Sequence, residues 1–142
     1  MLDLTKWFTS LRETRERTEH LRRGRLGERV ARSHLRRLGL KFLTANFKGR
    51  GETDLIFRDG EVLVFVEVKT RSNEEWIRPA RAVDLRKQRL LTQTALDYLR
   101  MLRNPAVTVR FDIVEVLLRE GRVREVRHLP NTFRMTPPYR YG

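Results

Sequence analysis

The chain has 142 residues, and 31 Lys plus Arg against 18 Asp plus Glu leave a formal net charge of +13. That length suits one domain, which buries roughly 70% of the surface its unfolded chain exposes. The lack of cysteine excludes a disulfide framework, a thiol nucleophile and a thiolate zinc site.

Residues 1–23 read as a helical arm, with Leu4, Trp7, Phe8, Leu11 and Leu21 at helical spacing. Its acids Asp3, Glu13, Glu16 and Glu19 argue against a transit peptide. No apolar run reaches the roughly 18 to 20 residues of a membrane span, so no membrane partner and a cytoplasmic location are expected. A first core helix should follow Gly24, striped by Leu26, Val30, Ala31, Leu35 and Leu38 and stopped by Gly39. Strands are then expected at 40–46, 53–57 and 61–70, the last two joined by an Asp59-Gly60 hairpin loop. Pro79 should open a long helix to about Arg103, which Asn104-Pro105 ends. Residues 107–118 form a fourth strand, and Glu120-Gly121 turns the chain into a short edge strand at 123–129. The tail, 130–142, should be extended and poorly ordered, outside the domain spanning 24–129. The outcome is an α/β fold: a central mixed sheet flanked by helices, with an N-terminal helical arm.

A two-residue Asp59-Gly60 loop would set Ile56 opposite Leu63 and Asp54 opposite Phe65. Glu52, Asp54, Glu67, Lys69 and Arg71 then project from one side of the sheet, and Leu55, Phe57, Val62, Val64, Val66 and Val68 from the other. Asp54 and Glu67 fall on a diagonal of about 7 to 8 Å between backbones. On the first core helix Glu28 lies roughly 20° from Leu35 around the axis, within reach of the sheet. Clustered carboxylates in low dielectric are costly unless paired or metal-bound. Oxygen-only ligands select a hard ion, Mg²⁺ or Mn²⁺. Phosphodiester hydrolysis needs a metal that polarises the phosphate and a cation that orients water, and Asp54, Glu67 and Lys69 supply those parts.

The segments GRLGERVA, GETDLIF, FVEVKTR and RFDIVEV resemble the YraN-like family of uncharacterised bacterial proteins over about residues 24–118. That family belongs by fold to the restriction-endonuclease-like PD-(D/E)XK nucleases and is similar to archaeal Holliday junction resolvases. The resemblance implies Asp54 as the bridging metal ligand, Glu67 as the second, Lys69 as the group that positions water, and Glu28 as the helix-borne acid. Thr53 stands where the nuclease superfamily often has proline before its first acid. The activity implied is metal-dependent endonuclease action on DNA, including branched or structured DNA. Analogy with such enzymes adds a homodimer, through the arm or an edge strand.

Arg71, Arg81, Arg86, Lys87 and Arg89 follow the site strand or open the long helix, and are expected to contact phosphates of the nucleic acid. Gln88 and Lys87 are further candidates to touch the acids, a place where related nucleases often carry a polar helix residue. Glu52 reads as an ion-pair partner of Arg50 or Arg71, and Asp112 beside Arg110 as a structural ion pair. His20, His34 and His128 show no metal-ligand spacing. Phe133, Tyr139 and Tyr141 interleave with Arg134 and Arg140, a pattern compatible with base stacking as well as with a disordered tail. The alternatives are a non-catalytic nucleic-acid-binding module and an assembly factor bound to ribosomal RNA. Neither benefits from carboxylates that repel phosphate.

Overall fold

The computed structural model describes residues 3–72 and 83–142. The order is α1 (Leu4–Arg37), β1 (Lys41–Lys48), β2 (Glu52–Asp59), β3 (Val62–Ser72), α2 (Leu85–Met101), β4 (Thr108–Arg119) and β5 (Arg122–Phe133). The five strands form one sheet in chain order, with β3 and β4 parallel and every other neighbouring pair antiparallel. This mixed sheet between two helices is compatible with the restriction-endonuclease-like fold expected from the sequence.

Sheet parity divides the core. Leu55, Phe57, Val64 and Val66 join Val114 and Val116 under Ala31 and Leu35 of α1. Ile56, Leu63, Phe65, Phe111 and Ile113 pack on the other face against Leu91, Ala95, Tyr98 and Leu99 of α2. Alternate residues of a strand face opposite sides, so β2 and β3 are covered twice and read as near-continuous apolar runs.

Three boundaries differ from expectation. The arm and the first core helix are one uninterrupted helix through Gly24 and Gly27. A helical glycine costs only about 1 kcal/mol relative to alanine, and the flanking Leu, Arg and Glu residues favour helix. The helix ends as expected: Gly39 takes φ 95°, its N–H reaches Arg36 O, and Leu40 N–H reaches Leu35 O. Second, α2 begins at Leu85, where the Asp84 side chain accepts from the Lys87 N–H at 2.8 Å. The expected start at Pro79 lies outside the described residues. Third, β5 runs to Phe133, and the tail beyond it packs. Met135 and Tyr141 lie against the α2-side core, the Tyr139 hydroxyl accepts from Gln93 at 2.7 Å, and the Tyr141 hydroxyl donates to Pro105 O. The tail aromatics are therefore spent on the fold.

The hairpin turn is shifted as well. Its central residues are Gly60 and Glu61, with Asp59 opposite Val62 and Ile56 opposite Phe65. Gly60 takes φ 59°, the conformation that the first central position of a two-residue hairpin loop favours. The register moves by two residues, so every side chain keeps its face. Asp54 and Glu67 become near-opposed neighbours just beyond the last ladder pair, Leu55 with Val66.

Two contacts fix the helices relative to this hairpin. A Cβ on Gly27 would lie 1.9 Å from Thr70 Oγ1, so glycine sets the approach of α1 to β3. On the other face, Gly51 N–H donates to Thr94 Oγ1 at 2.8 Å, and Arg50 reaches Asp97 through both backbone N–H and guanidinium. Arg50 is thus taken by Asp97, which removes one of the two partners expected for Glu52. Gly27→Ala forces α1 away from β3 and should cost about 1–3 kcal/mol, read as a lowered denaturation midpoint. An unchanged midpoint would contradict the contact.

Asp112 is structural. Buried among β4 and β5, it accepts from Arg110 at 2.9 and 3.1 Å and from the Asn131 N–H at 2.9 Å, and it bonds His128 Nε2 at 2.8 Å. Burial raises its pKa, but the bonds from His128, Arg110 and Asn131 outweigh burial and hold it below the usual value. Its stabilisation is therefore complete above the ordinary carboxylate range and is lost as pH falls through the lowered native pKa. Asp112→Asn should cost about 2 kcal/mol at neutral pH and flatten the acid limb of the stability curve, as urea titrations at several pH values would show.

Candidate active site

The acids gather where β2 and β3 part. Asp54 Oδ2 accepts the Val68 N–H at 2.8 Å, so the carboxylate takes a backbone donor of the neighbouring strand. Glu67 is only 6% exposed. Its Oε1 lies 3.3 Å from Lys69 Nζ and 3.8 Å from Lys87 Nζ, and its Oε2 is buried without a hydrogen-bond partner. Burial and then the repulsion of Glu67 push the Asp54 carboxyl up to about 7, against the Val68 N–H and, more weakly, Lys87. Carboxyls shifted this far inside a cleft are enriched at functional sites and also occur in structural ion-pair networks.

Glu28 enters from the helix that Gly27 seats on Thr70. Although α1 packs on the opposite face of the sheet, Glu28 couples electrostatically to Asp54 and Glu67. Burial raises its pKa, Glu52 and Glu67 add to the rise, and a hydrogen bond with Asn46 opposes it. Asn46, at φ 53° in β1, is a site residue that sequence reasoning missed.

These groups line one cavity of about 570 Å³, walled by His20, Arg23, Gly24 and Glu28 of α1, by Asp54, and by Glu67 to Ser72 of β3. Leu118, Glu120 and Gly121 of the β4–β5 turn close its far side. The structure thus brings Asp54, Glu67, Lys69, Glu28 and Arg71 together. Lys87 joins them through Glu67. Arg86 and Arg89 are exposed on α2 and do not line the cavity, and Arg81 lies outside the described residues. Gln88 donates to Val83 O at 3.0 Å, within its own helix start. Sequence reasoning also missed Glu115, paired in register with Lys69 and fully buried. Neither Glu115 oxygen has a hydrogen bond, and Arg127 Nη1 lies 3.8 Å away.

Among the described residues, no three His, Cys, Asp or Glu side chains converge into a metal-holding group. Asp54 and Glu67 are neighbouring carboxylates that repel each other. The unpartnered Glu67 Oε2, the raised Asp54 carboxyl and the all-oxygen donor set fit a hard divalent cation, which would relieve the repulsion between them.

The model of the uncharacterised protein family UPF0102 matches residues 27–116. The chain belongs to this family. A UPF0102 protein of Geobacter metallireducens is 38% identical over 113 residues, covering 79% of this chain and 92% of the relative. One from Porphyromonas gingivalis is 39% identical over 117 residues, covering 81% and 86%, and one from Syntrophus aciditrophicus is 41% identical over 103 residues, covering 72% and 81%. The UPF0102 match contains Asp54, Glu67, Lys69, Glu28 and Lys87, and excludes the arm and the tail. Among the described residues, no helix is long and apolar enough to cross a membrane.

Proposed function

We propose that this UPF0102 chain is a metal-dependent nuclease that hydrolyses phosphodiester bonds in DNA, with branched or structured DNA as the preferred substrate. The observation that carries this reading is half-buried Asp54 beside buried Glu67, whose Oε2 has no partner while its Oε1 meets the Lys69 ammonium. Asp54 and Glu67 would hold Mg²⁺ or Mn²⁺, with Glu28 beyond them. When bound, the cation supplies Lewis acidity toward the phosphate and lowers the pKa of water. Lys69, within 3.3 Å of Glu67, orients the attacking water and offsets charge developing on the phosphate. Arg71 and Arg23, on two walls of the cavity, hold the flanking phosphates. In this reading the protein works in the cytoplasm, and a homodimer sets two such sites against two strands.

One observation favours a non-catalytic nucleic-acid-binding module instead: two lysines already neutralise Glu67, so the site keeps charge balance without a metal. A panel of labelled duplex, single-stranded, flap and four-way-junction DNA, incubated with Mn²⁺ or EDTA, separates the two readings. Metal-dependent product that disappears in Asp54→Ala supports the nuclease. Binding without product in the wild type leaves the module, and co-sedimentation with ribosomes would point to an assembly factor.

A further inference from the structure

Because α1 is one unbroken helix, residues that the sequence distributes between two helices share a single axis. Gly27, Ala31 and Leu35 define its buried side. At 100° per residue, Arg15, Arg22, Arg25, Arg29 and Arg36 project about 120° to 180° away from that side, and Arg12 about 100°. Arg15, Arg22, Arg29 and Arg36 recur every seventh residue, a rise of roughly 10 Å per step, and the row from Arg12 to Arg36 spans about 36 Å. All six are exposed.

Apart from Glu19, the acids of the helix lie elsewhere. Glu13, Glu16 and Glu28 fall within about 60° of the buried side. Glu19, at the margin of the row, reaches Arg22 at 3.4 Å, and both side chains are largely solvated. Such an exposed pair contributes little and is easily exchanged for a phosphate. Gathering six guanidinium groups on one face with Glu19 as the one carboxylate among them costs self-repulsion, which a partner of opposite sign relieves.

We infer that this arginine row is a second nucleic-acid-binding surface, one that follows the phosphate backbone of a duplex along α1, separate from the acid-lined cavity. The partner is argued from charge and shape. A stiff linear array of anions matches a straight row of cations over 36 Å, and planar guanidinium groups bind phosphate oxygens in bidentate fashion. Apart from Arg36, whose guanidinium lies 5.3 Å from the centre of the Phe42 ring of β1, the row is on the side of α1 away from the sheet, so it does not depend on the catalytic reading of the cavity.

The test measures binding, not cleavage. Full-length protein in EDTA is titrated against a labelled blunt DNA duplex of roughly 24 bp, by fluorescence anisotropy, across about 50 to 300 mM NaCl. The triple variant Arg15→Gln, Arg22→Gln, Arg29→Gln should lose about 10- to 100-fold in affinity at mid-range salt, and its log–log salt slope should fall by about three. A control of equal charge change, Lys41→Gln, Lys48→Gln, Arg103→Gln, should keep the wild-type slope to within about one. Glutamine preserves helix propensity, and circular dichroism verifies folding of both variants. The inference is overturned if the row variant binds as wild type does, or if the control loses as much. It is also overturned if row-dependent binding appears only on phosphatidylglycerol vesicles, the result expected of a membrane-surface helix. Loss of the salt slope without any cleavage by the wild type would refute the nuclease and leave the row standing. Cleavage with an unaltered slope would do the reverse.

Discussion

Glu67→Ala should remove metal-dependent cleavage almost completely, and Lys69→Ala should lower it by about 100- to 1,000-fold. The two losses differ in kind. Glu67 presents a buried oxygen with no partner, so truncating it removes a ligand, and calorimetric titration with Mn²⁺ should show the heat of binding vanish. Lys69 only approaches the other oxygen of the same carboxylate, at 3.3 Å, and carries no lone pair for a cation while protonated. Its variant should bind Mn²⁺ at least as well as wild type, because a competing ammonium has gone, while kcat falls and KM changes little. Variants that cut at the wild-type rate would end the assignment of this site. Lys87→Ala makes a useful comparison: at 3.8 Å from Glu67 it should have an intermediate effect.

Asp54→Asn should stabilise the metal-free protein above neutral pH while abolishing Mn²⁺ binding. In the native state the Asp54 carboxyl titrates at about 7 instead of 3.8, driven first by burial and then by Glu67. At about pH 3 and below the carboxyl is largely protonated in both native and unfolded chains, and ionisation costs almost nothing. Between about pH 4 and 7 the unfolded chain ionises and the native one resists, so native stability declines as pH rises. Above 7 the penalty is complete, on the order of 2–4 kcal/mol. Asparagine does not ionise, and its amide oxygen still accepts the Val68 N–H. Thermal melts in EDTA should therefore coincide for the two proteins near pH 3 and diverge toward pH 8, the variant melting higher. Added Mn²⁺ should raise the wild type alone. A variant less stable than wild type at pH 8 would refute the repulsion between these carboxylates. Stability lost in order to keep a charged site is a familiar cost of function.

Particular residues show how far the sequence was legible. The side-chain alternation of β2 and β3 put Asp54, Glu67 and Lys69 on one face even though the expected turn was displaced by a residue at each end. A shift of two in register preserves parity, and Gly60 preferred the first turn position. Glu28 was legible from helical angle, but its route to the acids depends on β2 and β3 parting beyond Leu55 and on the lack of a Cβ at Gly27. Asn46 and Glu115 left no signal, since one is a single polar residue in an ordinary strand and the other sits in a run that reads as plain alternation. Lys87 reads in the sequence both as a phosphate contact and, with Gln88, as a residue able to touch the site; the Asp84 cap sets the first turn of α2 so that the Lys87 ammonium meets Glu67, while Gln88 turns back to Val83 O. The continuity of α1 was hidden because glycine breaks a helix only when the surrounding contacts favour a break.

The acidic pair belongs entirely to the hairpin Glu52–Ser72, whose strands are joined by a two-residue turn, whereas Lys87 returns only through the long crossover between β3 and β4. Contacts near in sequence close sooner than distant ones. During folding, the two carboxylates are thus forced together before α2 brings its counter-charge, and Lys69 and Arg71, two and four residues beyond Glu67 on the same strand, are the cations at hand to chaperone them through that interval.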